Sequence, residues 1–165
     1  MRPKVLIIMG SESDLPLMQE TGKMLSMFEI PFEMRIASAH RSPELVEEIV
    51  CRAEKDGTAV IIAGAGAAAH LAGAVAARTI LPVIGVPIDS SPLKGVDALY
   101  ATVQMPPGVP VATMAVGAAG ARNAGIFAAQ ILATTDRKTE KLLRQYRRAL
   151  AAEVKRKSRV PQDKR

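Results

Sequence analysis

The chain has 165 residues, of which 48% are apolar, and a formal net charge of +6. This length fits one domain with a sizeable core. No apolar run reaches the roughly 20 residues of a membrane helix, and the first residues lead into a strand-like run rather than a secretory signal, so we expect a cytoplasmic protein. The single cysteine, Cys51, excludes an intrachain disulfide, and we expect a small, partly buried side chain on a helix.

Predicted strands and helices alternate along the chain. The strands are 4–9, 32–37, 59–63, 82–86 and 111–116; the helices are 15–28, 43–55, an Ala-rich segment ending at 79, 117–133 and 137–157. Residues 88–100 are predicted to be a loop with a short helix, and the proline-rich 105–110 a stiff loop. Most strands are apolar throughout, which predicts a parallel sheet covered by helices on both faces. Without a repeat or a linker, we expect one domain over 1–165.

The positive charge lies at the carboxyl end of the chain. Residues 137–165 contain 12 Lys/Arg and 3 Asp/Glu, a local charge of +9 that leaves −3 for the first 136 residues. The helix predicted over 137–157 has an apolar residue at every fourth position: Leu142, Tyr146, Leu150 and Val154. Tyr146 is its one aromatic residue. Such a stripe fits subunit docking better than nucleic-acid binding. We expect residues 158–165 to be a frayed tail.

A polar turn, Gly10 to Asp14, follows the first predicted strand. Its hydroxyls and carboxylate, next to the amide groups of a helix start, could hold a phosphate or a sugar. Ser13 or Asp14 could equally well do no more than cap the helix. This turn alone does not favour one interpretation over the other.

His40 and Arg41 lie side by side where the second strand gives way to a helix. Ser42 is predicted to be the N-cap of that helix, with Pro43 in its first turn. The two side chains are therefore expected at the carboxyl end of a strand, where open parallel sheets bind ligands. An imidazole can move protons near neutral pH, and a guanidinium can bind phosphate, although an exposed surface arginine is an equally good interpretation of Arg41 alone.

The third strand runs into a Gly/Ala-rich segment, 64–69, followed by His70 and Leu71. Glycine lets backbone amides approach a ligand closely. The segment lacks the phosphate-loop lysine and the full dinucleotide fingerprint, which disfavours ATP and NAD. Two histidines without carboxylates or thiolates at ligand spacing are also a poor metal site.

Several motifs together match a known family. They are Gly10-Ser11-Glu12-Ser13-Asp14, Ser38-Ala39-His40-Arg41, residues 63–66 with 68–71, residues 81–87, and residues 103–106 with 108–113. In these motifs, and in order from about residue 4 to 133, the chain resembles the class I PurE family, the N5-carboxyaminoimidazole ribonucleotide mutases of purine biosynthesis.

The resemblance implies a three-layer αβα flavodoxin-like fold with a central parallel sheet and an extended C-terminal helix that packs on a neighbour in a homo-octamer. It implies an isomerase that moves a carboxyl group from the exocyclic nitrogen of a ribonucleotide to C4 of its imidazole, with no cofactor and no metal. The related class that carboxylates aminoimidazole ribonucleotide directly with CO2 typically has lysine where this chain has Arg41. Arg41 therefore favours the mutase.

The resemblance also implies site residues. His40 is expected to be the general acid and base, and eight further residues are expected to bind substrate: Ser11, Asp14, Ser38, Arg41, Gly66, Ala67, His70 and Leu71. Asp14 would accept hydrogen bonds from ribose hydroxyls. His70 would either shape the carboxylate pocket or, as we prefer, bond a backbone carbonyl.

The chain departs from the family pattern at Leu15, Ala67 and Ala72, where tryptophan, glycine and proline are usual. Ala67 matters most, because its methyl group enters a loop that must approach the migrating carboxylate. Two other functions stay open at this point. A non-enzymatic flavodoxin-like nucleotide-binding module would show flavin absorbance after purification, and a nucleic-acid binder would show a salt-sensitive gel shift with RNA.

Overall fold

The computed structural model describes residues 4–158, which form one parallel sheet with helices on both faces. The strands are β1 (Lys4–Met9), β2 (Phe32–Ile36), β3 (Thr58–Gly66), β4 (Val83–Ile88) and β5 (Ala112–Thr113). The helices are α1 (Leu15–Met27), α2 (Pro43–Lys55), α3 (Leu71–Ala76), α4 (Val96–Val103), α5 (Ala118–Ala133) and α6 (Arg137–Lys157). A single 3-10 turn, Glu12–Asp14, precedes α1.

The strand order is β2-β1-β3-β4-β5, with every neighbouring pair parallel. This is the order of flavodoxin-like sheets. The prediction of a three-layer α/β fold with a parallel sheet and a long C-terminal helix is confirmed.

Strand side chains alternate between two cores, one on each face of the sheet. In β1, Val5, Ile7 and Met9 face the core that α1, α5 and the start of α6 cover. Leu6 and Ile8 face the core that α2 and α3 cover. Because β1 is covered on both faces, it reads as one continuous apolar run in the sequence.

Several predicted boundaries were wrong, most clearly at β3. This strand continues to Gly66 instead of ending at residue 63, because β4 pairs with its last residues as far as Gly66 and Ile88. The Ala-rich helix α3 ends at Ala76 instead of residue 79, and the edge strand β5 has two residues instead of six. The stiff loop predicted at 105–110 does lack helix and strand.

The expectation for Cys51 was wrong about burial. Cys51 lies on α2, but its side chain is exposed. The buried residues of this helix are Val46, Ile49, Val50 and Ala53, and Cys51 lies outside that stripe.

The apolar stripe of α6 divides into two halves. Leu142 and Tyr146 are half-buried against the chain's own core, and the Tyr146 ring meets Phe28 edge to face with 5.5 Å between centroids. Leu150 and Val154 are 45% and 69% exposed. The first half of the stripe therefore belongs to this subunit, which the sequence pattern did not predict. Most of the tail predicted at 158–165 lies outside the described residues.

Within residues 4–158, no helix is long and apolar enough to cross a membrane.

Helices α1 and α5 pack closely through small residues. The Thr21 hydroxyl on α1 donates to the Ala121 carbonyl on α5 over 2.8 Å. A Cβ added at Gly125 would lie 2.9 Å from both Met24 Cβ and the Thr21 carbonyl oxygen. Gly125 has an ordinary helical backbone, so the contact with α1, and not backbone conformation, requires glycine there.

We predict that Gly125→Ala destabilises the fold, although alanine is the better helix former by about 1 kcal/mol. Overpacking against backbone costs about 1–3 kcal/mol and should outweigh that gain, for a net loss of up to about 2 kcal/mol. Denaturant unfolding measures the change. The control, Asn123→Ala, alters an exposed position on the same helix and should shift stability by less than about 0.5 kcal/mol. A more stable Gly125→Ala protein would contradict the close packing of α1 on α5.

Candidate active site

The loops after β1, β2, β3 and β4 meet around a cavity of about 280 Å³ at the carboxyl edge of the sheet. Seven of the nine predicted site residues line it: Ser11, Asp14, Ser38, His40, Arg41, Gly66 and Leu71. Ala67 and His70 lie outside the lining, but His70 contacts His40. The structure thus brings together the residues that the sequence places on three separate loops.

The loop after β1 presents a buried carboxyl group. Ser11 caps the 3-10 turn, since its Oγ accepts from the Ser13 amide at 3.4 Å, and the two hydroxyls lie within hydrogen-bond distance at 3.0 Å. Asp14 is 4% exposed, lines the cavity and makes no capping bond to α1. Burial raises the pKa of Asp14, while hydrogen bonds from the Ser11 backbone and the Ser13 side chain oppose that rise. Asp14 occupies the N-cap position of α1 without a side-chain capping bond, and Ser11 caps only the 3-10 turn, so the purely capping alternative for Ser13 or Asp14 is wrong.

The loop after β2 is held by two serines. The Ser42 hydroxyl accepts from the Ser38 amide at 3.1 Å and donates to the Ser38 carbonyl at 3.2 Å. The Ser38 hydroxyl accepts from the Arg41 amide at 3.2 Å. Ser42 occupies the N-cap position before Pro43 as predicted, but its side chain makes no bond to the helix. It closes the turn that carries His40 and Arg41.

The guanidinium of Arg41 reaches across to the end of β1. Its Nη2 donates to the Gly10 carbonyl at 3.1 Å. No carboxylate within residues 4–158 pairs with Arg41, so its other donors are available to an anion in the cavity. A guanidinium held in this way suits a phosphate group.

His40 and His70 form a direct pair. His40 Nε2 lies 2.8 Å from His70 Nδ1, and the rings meet at 85° with 5.0 Å between centroids. The preferred expectation for His70, a bond to a backbone carbonyl, is therefore wrong: its Nδ1 faces the other imidazole. One nitrogen must carry a proton and the other must accept it, so the two rings share one proton.

Ala67 has a left-handed backbone, with φ of 50°. This conformation is strained for alanine and unstrained for glycine. The carbonyls of Ala67 and Ala68 accept from the amides of Ala69 and His70, which holds the turn at the start of α3. The departure from glycine at this position therefore has a local conformational cost.

Six further residues line the cavity that are not among the nine expected site residues: Gly10, Ser13, Ala39, Ala65, Ala68 and Ser90. Ser90 lies on the loop after β4, a segment that was predicted to be a loop but was not assigned to the site. The predicted strand ended at residue 86, whereas β4 continues to Ile88 and leaves Ser90 two residues beyond the strand end. The rule that ligands bind at strand carboxyl ends could have found it.

No group of three or more His, Cys, Asp or Glu side chains that could hold a metal ion occurs in the part of the chain that the structure describes.

Comparisons with known proteins point to one family. The sequence model of AIR carboxylase matches residues 4–153. A protein of Pyrococcus abyssi named N5-carboxyaminoimidazole ribonucleotide mutase is 54% identical over 145 residues, 88% of this chain and 82% of the relative. One of Escherichia coli K12 with the same name is 48% identical over 151 residues, 92% of this chain and 89% of the relative.

A solved structure shows the same fold. The crystal structure of Treponema denticola PurE superposes with a TM-score of 0.85 at 29% sequence identity, covering 93% of this chain and 94% of that one. The family model's match over residues 4–153 spans the strands, the cavity loops and most of α6, and together with this structure it confirms the resemblance that the motifs indicated. This chain belongs to the AIR carboxylase family.

Proposed function

We propose that this protein is an N5-carboxyaminoimidazole ribonucleotide mutase, an isomerase of purine biosynthesis. The observation that supports this most strongly is the His40–His70 pair, whose 2.8 Å contact stands beside a cavity lined by hydroxyls, a buried carboxyl group and a guanidinium. Names of relatives at 48–54% identity support the same reaction.

In the reaction, the substrate gains one proton at nitrogen and loses one proton at carbon. Breaking the carbamate C–N bond releases CO2 and leaves an electron pair on the exocyclic nitrogen, which takes up a proton. C4 of the imidazole then attacks CO2, and the proton on C4 is removed to restore the aromatic ring. Atoms and electrons balance without an oxidant, a nucleotide or a metal, so acid-base chemistry by side chains suffices.

The histidine pair can supply both proton transfers. With His40 Nε2 engaged by His70, Nδ1 is the nitrogen of His40 left for the substrate. When Nε2 carries the shared proton, neutral His40 has a lone pair on Nδ1 and acts as a base. When His70 Nδ1 carries it, neutral His40 holds its proton on Nδ1 and acts as an acid. Moving the shared proton therefore changes the role of His40.

The remaining site residues would hold the ribonucleotide. Arg41 binds the phosphate, Asp14 accepts from ribose hydroxyls, and Ser11 and Ser38 contribute further polar contacts. Gly66 and Leu71 form the wall against which the heterocycle and CO2 lie, Ala67 holds the turn that follows Gly66, and His70 positions His40. The serine hydroxyls, the Asp14 carboxyl group and the Arg41 guanidinium in the cavity lining fit a charged ribonucleotide better than an apolar ligand.

The alternative functions account for fewer features of the site. A direct CO2-dependent carboxylase fits the fold, but Arg41 and the names of the relatives favour the mutase. A flavodoxin-like binding module would leave the paired histidines without a role. A nucleic-acid binder would use the basic face of α6, whose end carries the exposed apolar side chains of Leu150 and Val154.

The proposal includes a homo-octamer, which the family resemblance implies, and a location in the cytoplasm, which was expected from the sequence. Exposed apolar side chains at the end of α6 support burial against another subunit. Burying each would contribute roughly 1.5–3 kcal/mol before entropy is counted.

We predict that His40→Asn separates catalysis from binding. Asparagine keeps similar size and some hydrogen bonding but cannot exchange a proton near neutral pH, so turnover should fall about 10²- to 10⁴-fold. Affinity for the product ribonucleotide should change less than about tenfold, because phosphate and ribose contacts remain. Single-turnover assays and isothermal titration measure the two effects. The control is Glu44→Gln on the exposed start of α2, and near-normal turnover of His40→Asn would contradict the acid-base role.

We predict that Asp14→Asn weakens ribonucleotide binding yet stabilises the protein at pH 7. Burial raises the pKa of Asp14 in the fold, so the unfolded chain loses this proton at a lower pH than the folded chain. Stability therefore falls as pH rises through the folded pKa, and asparagine removes that cost.

The gain in Tm should shrink as pH falls toward about 4, the ordinary range of aspartate. Thermal melts from pH 4 to 8 measure it, with Asp89→Asn as an exposed control. A Tm gain that does not depend on pH would contradict the assignment to the buried charge.

We predict that Leu150→Ser with Val154→Ser lowers the mass of the assembly. These side chains are exposed in the single chain, and their polar replacements would weaken a subunit contact without disturbing the core. The control replaces Arg148 and Ala152 with serine on the opposite face of α6, since residues two apart differ by about 200° around a helix. Light scattering measures the mass, and an unchanged octamer in the Leu150/Val154 variant would exclude this docking surface.

A further inference from the structure

We propose that Ser90 is a further substrate-binding residue, whose hydroxyl bonds the carboxylated heterocycle of the ribonucleotide. This inference rests on the proposed function and adds a residue that neither the motifs nor the family resemblance assigned. Ser90 lines the cavity from the loop after β4, opposite the loop that carries His40 and Arg41.

The backbone of Gly66 leaves room for Ser90. A Cβ built on Gly66 would lie 1.8 Å from Ser90 Oγ and 3.0 Å from Ser90 Cβ. Gly66 is not among the glycines with positive φ, so its backbone does not itself require glycine. The Ser90 side chain occupies the space that any other residue at position 66 would fill. Glycine at 66 therefore brings this hydroxyl to the cavity wall.

The Ser90 hydroxyl has no hydrogen-bond partner among residues 4–158. The other serines of the cavity are engaged: Ser11 and Ser13 bond each other, and Ser38 accepts from the Arg41 amide. The neighbouring Ser91 accepts from the Leu93 amide at 3.1 Å and bonds the Asp97 carboxylate. Ser91 holds the loop, whereas Ser90 presents a free donor and acceptor to the cavity.

The layout of the strand ends indicates which part of the substrate Ser90 meets. Neighbouring strands are about 4.8 Å apart, so three steps place the ends of β2 and β4 about 14 Å from each other. Arg41 lies over β1 and β2, where it bonds Gly10. The His40 ring instead turns toward β3, where it meets His70. The phosphate therefore lies at the β1/β2 side and the reacting heterocycle at the β3/β4 side, beside Gly66 and Ser90.

The test measures affinity of the full-length protein for two probes by isothermal titration. The product, 4-carboxy-5-aminoimidazole ribonucleotide, has phosphate, ribose and heterocycle; ribose 5-phosphate lacks the heterocycle. Ser90→Ala should weaken product binding about tenfold or more, because a bond to a charged acceptor is lost, and should change ribose 5-phosphate binding less than twofold. Ser90→Cys should resemble alanine, since it restores bulk but only a weak donor.

Three results would overturn the inference. Equal product affinity of Ser90→Ala and the unaltered protein would show that the hydroxyl makes no contact. Equal losses for both probes would place Ser90 at the phosphate or ribose. Recovery of affinity by Ser90→Cys would show that the side chain acts through packing.

The control variant is Ser91→Ala, which removes a hydroxyl that holds the same loop and lies outside the cavity lining. It should lower Tm more than Ser90→Ala does and affect product binding less; an equal loss of affinity would mean that loop order, and not the Ser90 contact, matters. If the unaltered protein fails to bind the product at all, the proposed function falls. A change confined to Ser90→Ala tests the inference alone.

Discussion

The site depends on the parallel pairing of β2, β1, β3 and β4, which brings four loop-bearing strand ends to one edge of the sheet. The register pairs Met9 with Ile36 and Gly64, and Gly66 with Ile88. Since all four strands point the same way, the residues that follow them lie side by side. A shift in register between β1 and β3 would move His70 relative to His40 and break their 2.8 Å contact. Strand pairing in the core therefore sets the geometry of proton transfer at the edge.

At this edge of the sheet, some residues have conformations or environments that are unfavourable for folding. Asp14 is a carboxyl group at 4% exposure without a cation beside it in the described chain. Ala67 is held at φ of 50°, and the Ser90 hydroxyl has no partner within residues 4–158. The buried Asp14 carboxyl group and the left-handed Ala67 backbone each cost some folding free energy, whereas the exposed Ser90 hydroxyl is open to water. Natural proteins break local rules in this way mainly at functional sites.

Sequence reasoning succeeded where local signals decide the structure. The bounds of β1, α2 and α6 were predicted to the residue, because continuous apolar runs, Pro43 after Ser42 and a clear apolar stripe mark them. It failed where distant partners decide. The end of β3 depends on pairing with β4, and the burial of Tyr146 depends on Phe28, more than a hundred positions away. The motifs predicted His40 and Arg41, but the contact of His40 with His70 and the fit of Ser90 over Gly66 arise only from the fold.

In a mutase the carboxyl group moves within one bound ribonucleotide. The most direct measurement follows a ¹³C label from the carbamate of N5-carboxyaminoimidazole ribonucleotide, in unlabelled bicarbonate, without ATP and with a chelator present. We predict that the purified protein forms 4-carboxy-5-aminoimidazole ribonucleotide and that most of the label appears on its C4 carboxylate. Product that carries unlabelled carbon from the buffer, or turnover only with aminoimidazole ribonucleotide and bicarbonate, would contradict the mutase and indicate direct carboxylation.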